Sequence, residues 1–177
     1  LYAEPDVRRV ALDRVPSDRF FGSQWAMDNT GQEIAGRFGT TGADIGATEA
    51  WSITTGSPDV VVAIVDSGVD GAHPDLSPNL FVNRAEVGGN GIDDDRNGYV
   101  DDVSGWDFVN GDPTPDDGDG HGTHVAGTVG ARGDDGVGVT GVAWQASLLA
   151  LKVLDSQGGG TVSDAIRAYR YAARAGA

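Results

Sequence analysis

The order of apolar runs predicts an α/β protein: a parallel sheet with helices on both faces, incomplete in this chain. Three observations predict it. Val60-Val-Val-Ala-Ile-Val65 is a continuous apolar, β-branched run, as a strand covered on both faces reads. Ser147-Leu-Leu-Ala-Leu-Lys-Val153 is a second run of the same kind. Helical spacing of small and apolar residues lies between them and again after the second. Strand, helix, strand, helix in that order feeds a parallel sheet.

Residues 1–16 are charged and weakly patterned, a strand remnant plus linker. Ser17 to Thr41 places Phe20, Phe21 and Trp25 among turn residues, suggesting an arm packed over a domain. Ala47 to Ile53 fits a short helix ended by Thr54, Thr55 and Gly56. The first long strand follows. Gly88 to Gly120 is dominated by Gly and Asp and reads as irregular loop. His121 to Ala131 then suits a helix. The second strand ends in the turn Gly158-Gly-Gly160, and Thr161 begins the strongest helix, with Thr161-x-x-Asp164 resembling a capping box. Val162, Ile166, Tyr169 and Ala173 give that helix an apolar face. A further strand is expected after Ala177. No internal repeat occurs, and residues 17–177 read as part of one domain.

Composition narrows the function. A formal charge of −15 over 177 residues repels phosphates and argues against nucleic acid. No apolar run approaches the roughly 20 residues of a membrane helix, so no membrane partner is expected. The acids are clustered: ten Asp lie between Asp93 and Asp119, with Arg96 the only cation among them. Such crowding is costly unless bound cations offset it. Cysteine is absent, excluding disulfides and a thiol nucleophile.

In an open parallel sheet, functional groups gather at the carboxyl ends of strands. Asp66 stands there, followed by Ser67-Gly68. It can orient a histidine, or serve only as a turn residue. His121 sits in Asp119-Gly-His-Gly-Thr-His-Val-Ala-Gly127 at a helix start, where the positive dipole end disfavours a charged imidazole. His124 reads as a packed residue of that helix.

Together, Ala63-Ile-Val-Asp66-Ser-Gly-Val-Asp70 and His121-Gly-Thr-His-Val-Ala-Gly-Thr128 resemble the Asp and His motifs of the subtilisin-like serine proteases, and Trp106-Asp-Phe-Val-Asn-Gly-Asp-Pro-Thr-Pro-Asp116 resembles a calcium loop of their thermitase-like subgroup. The resemblance runs from about Ser17 to Ala177 and includes His73-Pro-Asp-Leu76, Gly141-Val-Ala143 and Leu151-Lys-Val-Leu154. It implies a secreted serine endopeptidase acting on proteins or peptides through an acyl-enzyme, with His121 as general base and Asp66 as its orienter. The family's Gly-Thr-Ser-Met-Ala nucleophile motif and oxyanion-hole Asn do not occur here. The expectation is therefore an N-terminal half that is inactive alone. Leu1-Tyr-Ala-Glu-Pro-Asp6 resembles the last strand of the family's inhibitory propeptide, the mature chain then beginning between Arg8 and Ser17.

Asp66 and His121 are 55 residues apart, more than in compact family members, with an acidic insertion at about residues 82–104. Asp93, Asp95 and Asn97 fall at positions 1, 3 and 5 of a calcium-loop pattern, with Gly98 at 6. No Glu stands at position 12; Asp101 or Asp102 can close the site, with the Tyr99 carbonyl contributing. Family resemblance implies two further calcium sites. One comprises Asp107, Asn110, Asp112, the Thr114 carbonyl and Asp116. The other comprises Asp18, Asp75 and Asp135 with the carbonyls of Arg132, Val137 and Val139. The competing reading is a non-catalytic calcium-binding module with inert triad remnants. An Asp/His metal hydrolase is disfavoured, because the three histidines sit in unrelated contexts.

Overall fold

The structure, a computed structural model, describes residues 13–177. The propeptide-like segment Leu1–Asp6 lies outside the described residues. The described chain divides into two compact units, one holding residues 13–15 and 22–55, the other residues 16–21 and 56–177.

In the first unit, β1 (Glu33–Ile34) pairs antiparallel with β2 (Arg37–Phe38). The two-residue turn between them has φ of 50° at Ala35 and 78° at Gly36, the left-handed pair that suits a tight hairpin. Helix α1 (Ala47–Trp51) follows, burying Ala47, Thr48 and Trp51. It stops short of Ile53, which is 86% exposed. Asp44 prepares its start by accepting hydrogen bonds from the amides of Asn29 at 2.9 Å and Gly46 at 2.8 Å. Those bonds, the one from Asn29 foremost, hold the Asp44 carboxyl below the ordinary carboxylate range.

The second unit contains the expected parallel sheet. Strand β3 (Val61–Asp66) is followed by β4 (Gly105–Asp107), helix α2 (His121–Gly130), β5 (Ser147–Lys152) and helix α3 (Val162–Ala175). The sheet order is β3-β5-β4, both pairings parallel, with Val61 opposite Ser147 and Asp66 opposite Lys152. Alternation along β5 serves two cores. Leu149 and Leu151 meet Ala168, Tyr171 and Ala172 of α3, with Trp106 and Phe108. Leu148 and Ala150 meet Ala126 of α2, with Ile64 and Leu76. Helices thus cover both faces, which is why neither strand alternates polar with apolar.

Three expectations change, the first being that His124 of α2 is exposed rather than packed. Gly105–Asp107 is strand, not irregular loop: Gly105 has φ of 130° and touches β5 where any Cβ would strike the Ala150 carbonyl. On α3, Val162, Ile166 and Tyr169 are exposed, and the buried face is Ala168, Tyr171 and Ala172. Small residues let the helix approach β5 closely, so packing selects the alanine stripe over the more apolar one. The capping box is one-sided. Thr161 Oγ1 accepts from the Asp164 amide at 3.1 Å, while the Asp164 carboxylate binds that hydroxyl and Arg167.

A Cβ at residue 105 meets both a strained φ and the neighbouring backbone. Gly105→Ala in the full-length protein is expected to lower unfolding free energy by about 2–3 kcal/mol or more. Urea unfolding measures it, and an unchanged midpoint would contradict the close strand contact.

Candidate active site

Asp66 is the last residue of β3 and His121 the first of α2. The two are brought together because α2 packs its N-terminal turn against the carboxyl end of β3. Gly122 makes this approach possible: a Cβ there would run into the Gly68 carbonyl and lie 3.1 Å from Asp66 Cβ. His121 Nδ1 lies 2.7 Å from Asp66 Oδ1. The Ser67 amide donates to the same Oδ1 at 2.7 Å, fixing the carboxylate against its own backbone. The Asp66 side chain is 13% exposed and that of His121 62%. An Asp acceptor on Nδ1 selects the tautomer with Nε2 unprotonated, free to take a proton from a third group.

The hydrogen bond and charge of Asp66 raise the His121 pKa above 6.5, and Asp119 and Asp117 add to the effect. The shift is opposite to that expected from the helix dipole, because a carboxylate in direct contact outweighs a partial charge.

Around the dyad is a layer of bonds that motif reading did not reveal. Ser67 is 1% exposed; its hydroxyl donates to Asp117 Oδ1 at 2.8 Å and accepts from the Gly122 amide at 2.9 Å. Asp117 also accepts from the amides of Asp119, Gly120 and Thr123 and from the Thr123 hydroxyl. The carboxyl of Asp117 lies well below the ordinary range: burial opposes this, and the bond from the Thr123 hydroxyl leads the several that overcome it. The only lysine, Lys152, is buried and donates to the Ser67 carbonyl.

The acidic residues fall into three places. Glu86, Asp95 and Asp102 form the one group of three carboxylates with metal-holding spacing among the described residues, their ligand atoms within 4.8 Å of one another. The Asn83 amide donates to Asp95 at 2.9 Å and Asp102 at 3.1 Å, and Asn97 donates to Asp102 at 2.8 Å. Tyr171 of α3 donates to Asp102 at 2.5 Å. Burial raises the Asp102 pKa, against the opposing hydrogen bonds from Tyr171, Asn97 and Asn83. Asp93 instead accepts from the amides of Asn97 and Gly98, and Asp101 from those of Asn90 and Gly91. Tyr99 packs its ring on Trp106, Phe108 and Tyr171. Glu86 and Asn83 escaped sequence reading because they precede the loop and have no fixed spacing to it.

Asp18 and Asp75 are both buried. Asp18 Oδ2 accepts from the Asp134 amide at 2.6 Å, and Asp75 Oδ2 from the Val139 amide at 2.8 Å. The Oδ1 atom of each is buried without a partner. Desolvation first, then the charges of Asp135 and Asp18, raise the Asp75 pKa, so the three acids share one field. Arg132 donates its amide to the Asp75 carbonyl, and Val137 its amide to Asp135 Oδ1. Orphaned carboxylate oxygens fit a hard cation such as calcium.

The third loop is internally bonded. Asp107 accepts from Val109 and Asn110, Asp112 from Thr114, and the Thr114 carbonyl from the Asp116 amide. Asp107, Asp112 and Asp116 do not converge as Glu86, Asp95 and Asp102 do.

Fold and site together define a class: an α/β protein with an Asp–His dyad at the carboxyl edge of a parallel sheet covered on both sides. Residues 57–177 match the subtilase family model, and the chain belongs to that family. It is 40% identical to thermitase of Thermoactinomyces vulgaris over 133 residues, 75% of this chain and 39% of the relative. It is 33% identical to a thermophilic serine proteinase of Bacillus sp. strain AK1 over 99% of this chain and 35% of that protein. With subtilisin-like protease 1 of Plasmodium vivax the identity is 43%, over 62% of this chain and 18% of the relative. A serine protease of Aeromonas sobria, solved in complex with a chaperone, superimposes with a TM-score of 0.65 at 27% identity. That match covers 88% of this chain and 23% of the solved one. The chain spans well under half the length of each of these relatives.

His121 should titrate above 6.5, and Asp66→Asn should bring it back down. Because the folded pKa is raised, the pair's contribution to stability is full below the unfolded value and fades as pH rises through the folded one. A histidine-resolved NMR titration checks both, and an unmoved His121 curve in Asp66→Asn would refute the coupling.

Proposed function

We propose that the full-length protein is a secreted, calcium-stabilised serine endopeptidase in which His121 is the general base and Asp66 its orienter. The observation that carries this is the 2.7 Å contact between His121 Nδ1 and Asp66 Oδ1, within a chain of the subtilase family. With Nδ1 bonded to the carboxylate, Nε2 accepts the proton of a serine hydroxyl as it attacks the peptide carbonyl. The same nitrogen then returns the proton to the leaving amine. Asp66 stabilises the imidazolium formed between those events.

No serine hydroxyl among the described residues hydrogen-bonds His121, and Ser67 is held by Asp117 and Gly122. In this proposal the nucleophile and oxyanion donor are supplied from outside these 177 residues, and residues 1–16 are the end of an inhibitory propeptide and its linker. Alone, the 177-residue chain should hydrolyse peptides negligibly, since loss of one oxyanion donor typically costs about 10²–10³ in turnover. No described helix is long and apolar enough to cross a membrane.

Calcium would be held by Asp18, Asp75 and Asp135, and by Glu86, Asp95 and Asp102. It would supply positive charge that offsets their mutual repulsion. The acyl-transfer chemistry remains with the side chains.

The deciding experiment assays the full-length protein and its His121→Ala variant on casein and a chromogenic peptide. The variant should lose about 10⁴-fold or more in kcat/KM. A wild type inert toward all peptides would favour the non-catalytic module. Chelation should lower Tm, since a native-state ligand at 100 times its Kd contributes about 2.7 kcal/mol. A Tm indifferent to both chelator and added calcium would remove the structural role.

A further inference from the structure

The bonds beneath the dyad suggest a function of their own. Asp66 and His121 belong to different elements, and their side chains meet at only one hydrogen bond. Holding that geometry requires the end of β3 and the start of α2 to be fixed relative to each other. His121 cannot supply the fixing, because its side chain is largely exposed. The fixing comes from one buried bridge. Ser67 Oγ, next to Asp66, accepts from the Gly122 amide, next to His121, and donates to Asp117. The Asp117 carboxylate then accepts four further bonds from the turn that opens α2.

We propose that Asp117, acting through Ser67, is a positioning residue of the active site: it holds the helix carrying His121 in register with Asp66. This rests on the reading of Asp66 and His121 as the catalytic pair. Two features distinguish the arrangement from an ordinary helix cap. An ordinary cap serves only the amides of its own first turn, whereas Asp117 also takes a hydroxyl from the strand end, 50 residues away in sequence. Every donor around Asp117 is an N–H or O–H group, so only a fully accepting carboxylate satisfies them all. An amide in its place would turn an NH₂ toward one set of donors and break the bridge on that side. Lys152, donating to the Ser67 carbonyl, secures the same residue from the central strand.

The test uses the full-length enzyme and the Asp117→Asn variant, with Ser67→Ala as a second, milder cut through the same bridge. Two readouts are independent of stability. The first is the division of the kinetic loss. Because a displacement of about 1 Å can cost on the order of 10² in rate, kcat should fall about 10- to 100-fold in Asp117→Asn while KM stays within about twofold. The second is the strongly downfield Nδ1 proton resonance of a histidine bonded to a carboxylate, which should weaken or move upfield in both variants. A variant that loses Tm while keeping kcat and the resonance would overturn the proposal and leave Asp117 a helix cap. If Asp117→Asn does not fold, Ser67→Ala decides by the same criteria, and wild-type kcat with a wild-type resonance there overturns it. The resonance needs no turnover, so the catalytic reading can fail separately. A wild type showing the Nδ1 signal but no hydrolysis refutes endopeptidase function. One showing neither refutes the dyad and this proposal with it.

Discussion

Strand β5 is the constraint on which the second unit depends. It pairs with β3 on one edge and β4 on the other, and presents leucines or alanine to both faces. Leu148, Leu149 and Leu151 are fully buried. A strand so enclosed cannot slip by one residue, since every side chain would then change core. Its register therefore sets the heights of the β3 and β4 ends, and Asp66 stands where β3 stops. Lys152, at the end of β5, ties that strand to Ser67.

The second organising fact is how the protein carries so many carboxylates in so little space. Some are consumed as local acceptors: Asp117 gathers amides at a helix start, Asp93 and Asp101 gather amides in the insertion. Others remain buried with oxygens unsatisfied, as at Asp18 and Asp75. The first group is satisfied by donors of the chain itself, mostly backbone amides. The second keeps one oxygen of each carboxylate bonded to an amide and leaves the other buried without a donor. One composition thus divides in two, decided by whether donors reach both oxygens of a carboxylate.

Strands β3 and β5 were legible because double-sided burial imposes continuous apolar runs, and α2 because small and apolar residues recur at helical spacing. Asp66 and His121 were legible because each sits in a distinctive local motif. What was not legible depends on contacts across the fold. Strand β4 is three residues long and ends in a buried Asp, so no period marks it. The seat of α3 follows from closeness to β5, which favours Ala168 and Ala172 over Ile166 and Tyr169. Ser67 meets Asp117 across 50 residues, and Tyr171 meets Asp102 across 69. No local pattern encodes either pair.

The insertion's carboxylates have a consequence for proteolysis. Peptidases bind their substrates as extended strands whose main-chain amides pair with the cleft. Along the insertion many of those amides are already bonded inward: Val87 to Asp94, Asn90 and Gly91 to Asp101, Asp95 and Asp101 to Glu86, Asn97 and Gly98 to Asp93. Straightening any stretch of it means releasing several of these bonds together and exposing the freed carboxylates to one another. An exposed, glycine-rich loop, ordinarily the first place a chain is nicked, is here a poor substrate for any enzyme that reads extended backbone.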